Sequence, residues 1–139
     1  MTFSIVIPTL DEAECIEETL HSVAALGFRG IEILVADGGS TDGTPDAVER
    51  LAGSLGVPVR VLRCNGRRDL SQSVVAGFDR AQGEILCCMD ADGQHRPCDL
   101  ARLLRFMEEN PEVPLCVGSR FIPGGGFEEK WNAFRMLCS

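Results

Sequence analysis

The chain has 139 residues, 45% of them apolar, few aromatics and a formal net charge of −8. That length holds a core without disulfide or metal staples, and the mixed composition excludes disordered and fibrous classes. The acidic balance speaks against nucleic acid as a partner, because phosphate binding relies on clustered Lys and Arg that release counterions.

The opening run TFSIVIP (2–8) is apolar and β-branched on consecutive positions, which predicts a strand buried on both faces, as in a parallel sheet. Asp11 opens a helical pattern with Ile16, Leu20, Val23 and Leu26 as its apolar stripe, and Gly27 closes it. IEILVAD (31–37) predicts a second strand, GGSTDG a polar turn, and TPDAVERLAGSL a helix with Pro45 in its first turn. VPVRVLR (57–63) alternates more and predicts a third strand nearer an edge. LSQSVVAGFDRAQ (70–82) follows as a helix, GEILCCMD (83–90) as a fourth strand, and HRPCDLARLLRFMEEN as a helix with Pro97 near its start. VPLCVGSR (113–120) predicts a fifth strand, followed by a glycine-rich loop and a last helix from about Glu128. Regular alternation of strand and helix predicts one α/β sandwich over 1–139 with a mostly parallel sheet.

Seven cysteines are many for this length, but the number is odd and no CxxC pair occurs. Within strands and helices a free cysteine behaves as a small hydrophobe, so the expectation is a reducing, cytoplasmic compartment. No run approaches the roughly 20 apolar residues of a membrane span, and Met1 leads straight into a strand. The chain stops at Ser139 inside a helical pattern, which reads as truncation.

Polar clusters fall at three strand ends, Thr9–Glu12, Asp37–Asp42 and Asp90–His95, where open α/β sheets bind ligands. In MDADGQH (89–95), Asp90 and Asp92 occupy alternate positions and can face one hard cation such as Mg²⁺ or Mn²⁺, with Gln94 adding an amide oxygen. The competing structural role for these acids is capping the helix at Pro97. In VADGGSTDGT, Asp37 can accept donors from a nucleobase or ribose, and Gly39 permits close backbone approach; the alternative is a turn bonded by its own Asp and Ser. In PTLDE, Pro8 sets the strand exit and Glu12 can reach a base or ribose, although a helix-start acid is also explained by the dipole. Arg120 and Arg135 can match phosphate oxygens with a planar fork, solvated surface arginines being the alternative. Neither GxGxxG nor a P-loop is present, which removes the usual equipment for hydride transfer and Walker-type phosphoryl transfer.

The segments SIVIPTLDE, VADGGSTDGT, RRDLSQSVVAGFDRAQGE, MDADGQHRP and VGSRFIPGGG, in this order, resemble family 2 glycosyltransferases of the GT-A fold. Within that family the likeness is to polyprenol-phosphate sugar transferases of the dolichol-phosphate mannose synthase type. The resemblance implies a Rossmann-like three-layer α/β/α sandwich that moves a hexosyl group, with inversion, from a GDP- or UDP-sugar to polyprenyl phosphate at the cytoplasmic face of a membrane. It implies that Asp90, Asp92 and Gln94 hold Mg²⁺ or Mn²⁺ on the donor diphosphate, and that Pro8, Glu12, Asp37 and Gly39 contact the nucleoside. Asp92, Arg120 and Arg135 carry over as catalytic residues, the arginines facing phosphate. Two departures bear on the base: Gly38 follows Asp37 where the family often has paired acids, and Leu10-Asp11 replaces an Asn or Tyr in the first loop. The alternative expectation is a nucleotide-binding fragment without turnover.

Overall fold

A computed structural model describes residues 1–63 and 69–126. The elements run β1 (Phe3–Thr9), α1 (Ile16–Ala24), β2 (Ile31–Asp37), α2 (Thr44–Leu51), β3 (Val59–Arg63), α3 (Leu70–Phe78), β4 (Ile85–Cys88) and α4 (Pro97–Glu109). The four strands pair in parallel in the order β3-β2-β1-β4. The chain therefore moves outward from β1 through β2 to β3, then returns to the other side of β1. That reversal puts the switch point of the sheet between β1 and β4, where ligand crevices form in open α/β sheets.

Alternation along the strands sorts the side chains between two layers. Phe3, Ile5 and Ile7, paired with Ile31, Ile33 and Val35, face Ile16, Leu20 and Val23 of α1, Ala47 and Val48 of α2, and Leu100 and Leu104 of α4. On the opposite face Val6, Leu34 and Ala36 pack against Phe78 and Ala81, at and just beyond the end of α3. Gly77 makes this second contact possible, because a Cβ there would lie 2.4 Å from Cγ1 of Val6. The result is the expected three-layer sandwich, and β3 is an edge strand as its weaker burial pattern predicts.

Several boundaries differ from the periodicity. Residues 11–15 form a loop rather than the first turn of α1, with Asp11 in the left-handed region at φ 58°. β4 is only four residues long and α3 ends at Phe78. The expected fifth strand is absent: residues 113–119 have no regular structure, and Leu115 and Val117 are 74% and 71% exposed. An apolar run becomes a strand only when a neighbour accepts its backbone bonds; this run finds none among the described strands, and Pro114 has no N–H to offer. The helix expected from Glu128 lies outside the described residues.

Among the described residues Cys15, Cys87, Cys88, Cys98 and Cys116 are free thiols. Burial pushes the Cys87 and Cys88 thiols up to about 12 and about 11, which favours the protonated form over the thiolate. No helix among the described residues is long and apolar enough to cross a membrane. Two arginines of β3 are paired with acids, Arg60 with Glu32 at 2.7 Å and Arg63 with Asp46 at 2.6 Å.

Glu32 anchors the amino end of the sheet. Its Oε1 accepts from Ser4 Oγ at 2.6 Å and from the Gln82 backbone N–H at 2.7 Å, while Oε2 takes the Arg60 guanidinium. Burial alone would raise its pKa, but these donors together outweigh it and hold the carboxyl below the usual range. A depressed carboxyl contributes stability above the unfolded-state value and loses it as pH falls through the folded one. Glu32→Ala is expected to cost about 2 kcal/mol at neutral pH, the scale of hydrogen bonds to a charged group. In urea denaturation the gap between variant and wild type should shrink as the solution is acidified below the carboxylate range.

Candidate functional site

The carboxyl ends of β1, β2 and β4 carry the three polar loops, and the first two are sewn together. The Asp11 backbone N–H donates to Ser40 Oγ at 2.9 Å, and Thr41 N–H donates back to Asp11 Oδ1 at 2.7 Å. Glu12 N–H donates to Thr44 Oγ1 at 3.0 Å and Ala13 N–H to Asp42 Oδ2 at 2.9 Å. The loop after β2 thus supplies the acceptors for backbone donors in the turn before α1, a task usually left to a local N-cap. Cys15, at the cap position itself, makes no such bond. The hydroxyl of Thr44, with backbone donors from Ala13 and Thr44, holds the Asp42 carboxyl below its ordinary range against the opposing effect of burial.

Asp37 sits behind this seam. Its carboxylate accepts from Thr9 Oγ1 at 3.2 Å, from the Gly39 and Ser40 N–H groups at 3.0 Å each, and from Ser40 Oγ, and the residue is 2% exposed. Four donors occupy the acceptor positions of a carboxylate. In this structure Asp37 organises the loop, the turn role weighed beside base recognition in the sequence. Gly39, at φ 99°, serves the same turn through its N–H.

The third loop continues the alternation of β4. Met89 and Ala91 point into the core at 4% and 2% exposure, so Asp90 and Asp92 project outward on the same side. Met89 N–H still bonds Val6 O at 3.1 Å, and Ala91 O accepts from Thr19 Oγ1 at 3.1 Å, which fixes the strand exit between β1 and α1. Gln94 N–H donates to Asp92 Oδ1 at 2.9 Å in a turn around Gly93. The Gln94 side chain is exposed on the same loop.

A crevice of about 210 Å³ opens among these ends, lined by Pro8, Thr9, Leu10, Glu12, Leu70, Ser73, Asp90, Ala91 and Asp92. It brings together Pro8, Glu12, Asp90 and Asp92 as the sequence implied. Leu70 and Ser73 of α3 were missed, because a helix stripe gives no sign of which strand end it overlooks. Arg120 is half-buried in the turn after residues 113–119 and does not line the crevice; Arg135 lies outside the described residues. A second hollow of about 350 Å³ runs along α3 past Ser71, Val75 and Asp79.

The crevice is strongly anionic. Burial raises the Glu12 pKa, and the carboxylates of Asp92, Asp42, Asp90 and Asp11 raise it further. None of the lining residues is Lys or Arg. No three His, Cys, Asp or Glu side chains among the described residues make a metal site unaided. Two outward carboxylates plus an amide oxygen fit instead a hard cation that keeps waters and takes other oxygens from a bound phosphate.

The profile of glycosyl transferase family 2 matches residues 4–137. Over 140 aligned residues the chain is 34% identical to a dolichol-phosphate mannosyltransferase of Pyrococcus furiosus, covering all of this chain and 38% of that protein. A mannosyltransferase of Pyrobaculum calidifontis, solved with GDP-Man and Mn²⁺, superposes with a TM-score of 0.70 at 28% identity, over 85% of this chain and 36% of the other. S. aureus TarS 1–349 with UDP-GlcNAc gives 0.63 at 26% identity, over 86% and 38%. The chain thus spans little more than a third of the length of each.

Replacing Asp37 by Asn sets an amide NH₂ against donors that need an acceptor, so the free protein should lose about 1–3 kcal/mol of stability. A pure ligand contact would leave the denaturation midpoint of the free protein unchanged. Glu12→Gln should act oppositely and raise the melting temperature at neutral pH by relieving repulsion. Because the Glu12 pKa is raised, the native state binds its proton more tightly than the unfolded chain, and the gain should vanish as acid protonates Glu12 in the wild type.

Proposed function

The chain belongs to glycosyl transferase family 2, and on that premise we propose that it forms the donor-binding part of a metal-dependent, inverting hexosyltransferase. The donor is a GDP- or UDP-sugar and the acceptor a polyprenyl phosphate at a membrane surface. The observation that carries this reading is the outward pair Asp90 and Asp92 in a crevice whose lining has carboxylates and no cationic side chain. A nucleoside diphosphate entering such a crevice meets repulsion unless a cation lies between the two sets of oxygens. The Mn²⁺ named with the Pyrobaculum neighbour agrees with that requirement.

Within this reading Asp90, Asp92 and Gln94 hold Mg²⁺ or Mn²⁺ against the diphosphate. The cation, when bound, neutralises charge on the leaving nucleoside diphosphate without a proton donor. Glu12 and Pro8 lie where the nucleoside would rest, and Asp37 acts through the loop it organises. Ser73, 2% exposed, lies on the crevice wall and brings a hydroxyl to it. A phosphate oxygen of the lipid attacks the anomeric carbon as its bond to the diphosphate oxygen breaks, which inverts the configuration. That nucleophile is already anionic near neutral pH, so no protein base is needed. The acceptor class is supported by the dolichol-phosphate relative. Arg120 and Arg135 are proposed to face phosphate, outside the crevice itself.

A second reading is favoured by the position of Arg120 away from the crevice: this chain binds nucleotide but does not turn over. Calorimetric titration of GDP and of UDP into the chain, with and without Mn²⁺, tests the donor site. Binding of one nucleotide is expected only with Mn²⁺ and should disappear in Asp92→Ala; metal-independent binding, or binding unchanged in that variant, would remove the site. Hexose transfer to a short-chain polyprenyl phosphate then separates an active chain from a binding fragment.

A further inference from the structure

We propose that His95 is a positioning residue for the metal loop, acting as a hydrogen-bond acceptor that holds the Asp90 backbone so that Asp90 and Asp92 face one cation. The inference rests on the metal-binding role proposed above for Asp90 and Asp92. The Asp90 backbone N–H donates to His95 Nδ1 at 2.9 Å. An amide nitrogen can only donate, so the Nδ1 lone pair is spent and the neutral ring carries its proton on Nε2. Nε2 lies 3.8 Å from Asp90 Oδ2, too far for a hydrogen bond. Neither ring nitrogen is thus free to ligate a cation, and the imidazole acts on the shape of the loop.

That bond matters because of where β4 ends. Met89 N–H is the last on this strand to reach β1, through Val6 O. At the next residue the chain leaves the ladder, and without the ring the Asp90 N–H has no protein acceptor among the described residues. The bond spans five residues and closes the loop on itself, with the Gln94-to-Asp92 bond nested inside. His95 and Asp90 side chains are 43% and 46% exposed, so the ring contributes little core packing and its effect lies in this bond.

Mn²⁺ binding to the 139-residue chain can be followed by the paramagnetic resonance signal of the free aqua ion, in the presence of GDP and, separately, UDP. Wild type, Asp92→Ala, His95→Ala and His95→Asn would be compared, with a melting temperature for each. His95→Ala is expected to weaken Mn²⁺ binding about tenfold, the lower end for partners behind a ligand shell, with little change in melting temperature. Asn carries its side-chain oxygen the same number of bonds from Cβ as Nδ1, so His95→Asn should restore most of the affinity. Wild-type affinity in His95→Ala, or an Asn variant as weak as a folded Ala variant, overturns the role. Should the Ala variant not fold, a folded Asn variant at near wild-type affinity supports the role, and one that has lost Mn²⁺ overturns it. Mn²⁺ binding unaffected by Asp92→Ala removes the metal site and His95 with it. Loss in Asp92→Ala without loss in His95→Ala removes His95 alone.

Discussion

Asp37 is the constraint on which the site depends. A carboxylate at 2% exposure is tolerable only when its oxygens are fully bonded, and Thr9, Gly39 and Ser40 meet that demand. Ser40 then accepts from Asp11, so the order imposed at the end of β2 passes to the turn after β1. Asp42 and Thr44 repeat the arrangement one step along and hold the backbone of Glu12 and Ala13. The two loops share acceptors, so neither can be placed independently of the other.

That rigidity allows the crevice to hold like charges. Glu12, Asp90 and Asp92 line one small space without a basic side chain among them, and repulsion shows in the raised proton affinity of Glu12. Flexible loops would relax such a cluster by turning its acids toward water. Here Met89 and Ala91 are locked in the core and Glu12 is held through its backbone, so the three acids stay on the lining of one crevice. The folded state carries a local electrostatic cost that a bound cation would offset, a trade between stability and binding common at functional sites.

Much of the fold was legible because it rests on local periodicity. Largely apolar runs at 3–7 and 31–36, broken by Ser4 and Glu32, mark strands covered on both faces, and the helix stripe through Ile16, Leu20 and Val23 buries as expected. The fifth strand failed for a nonlocal reason: its apolar run has strand character but no neighbour among the described strands to pair with. The start of α1 shifted for a similar one, since the first backbone donors after β1 are claimed by a loop about 30 residues away.

The sequence alone determined that strands and helices alternate, that polar loops collect at the strand ends, and that Asp90 and Asp92 stand at alternate positions. These follow from side-chain periods of two and 3.6 residues, which are properties of neighbours along the chain. Only the tertiary structure decided that Asp37 bonds its own loop, that Ser73 and Leu70 complete the crevice wall, and that His95 accepts from Asp90. A carboxylate or an imidazole has the same capacity to bond wherever it stands. Which donors reach it first is set by the packing of segments distant in sequence, and that competition decides its role.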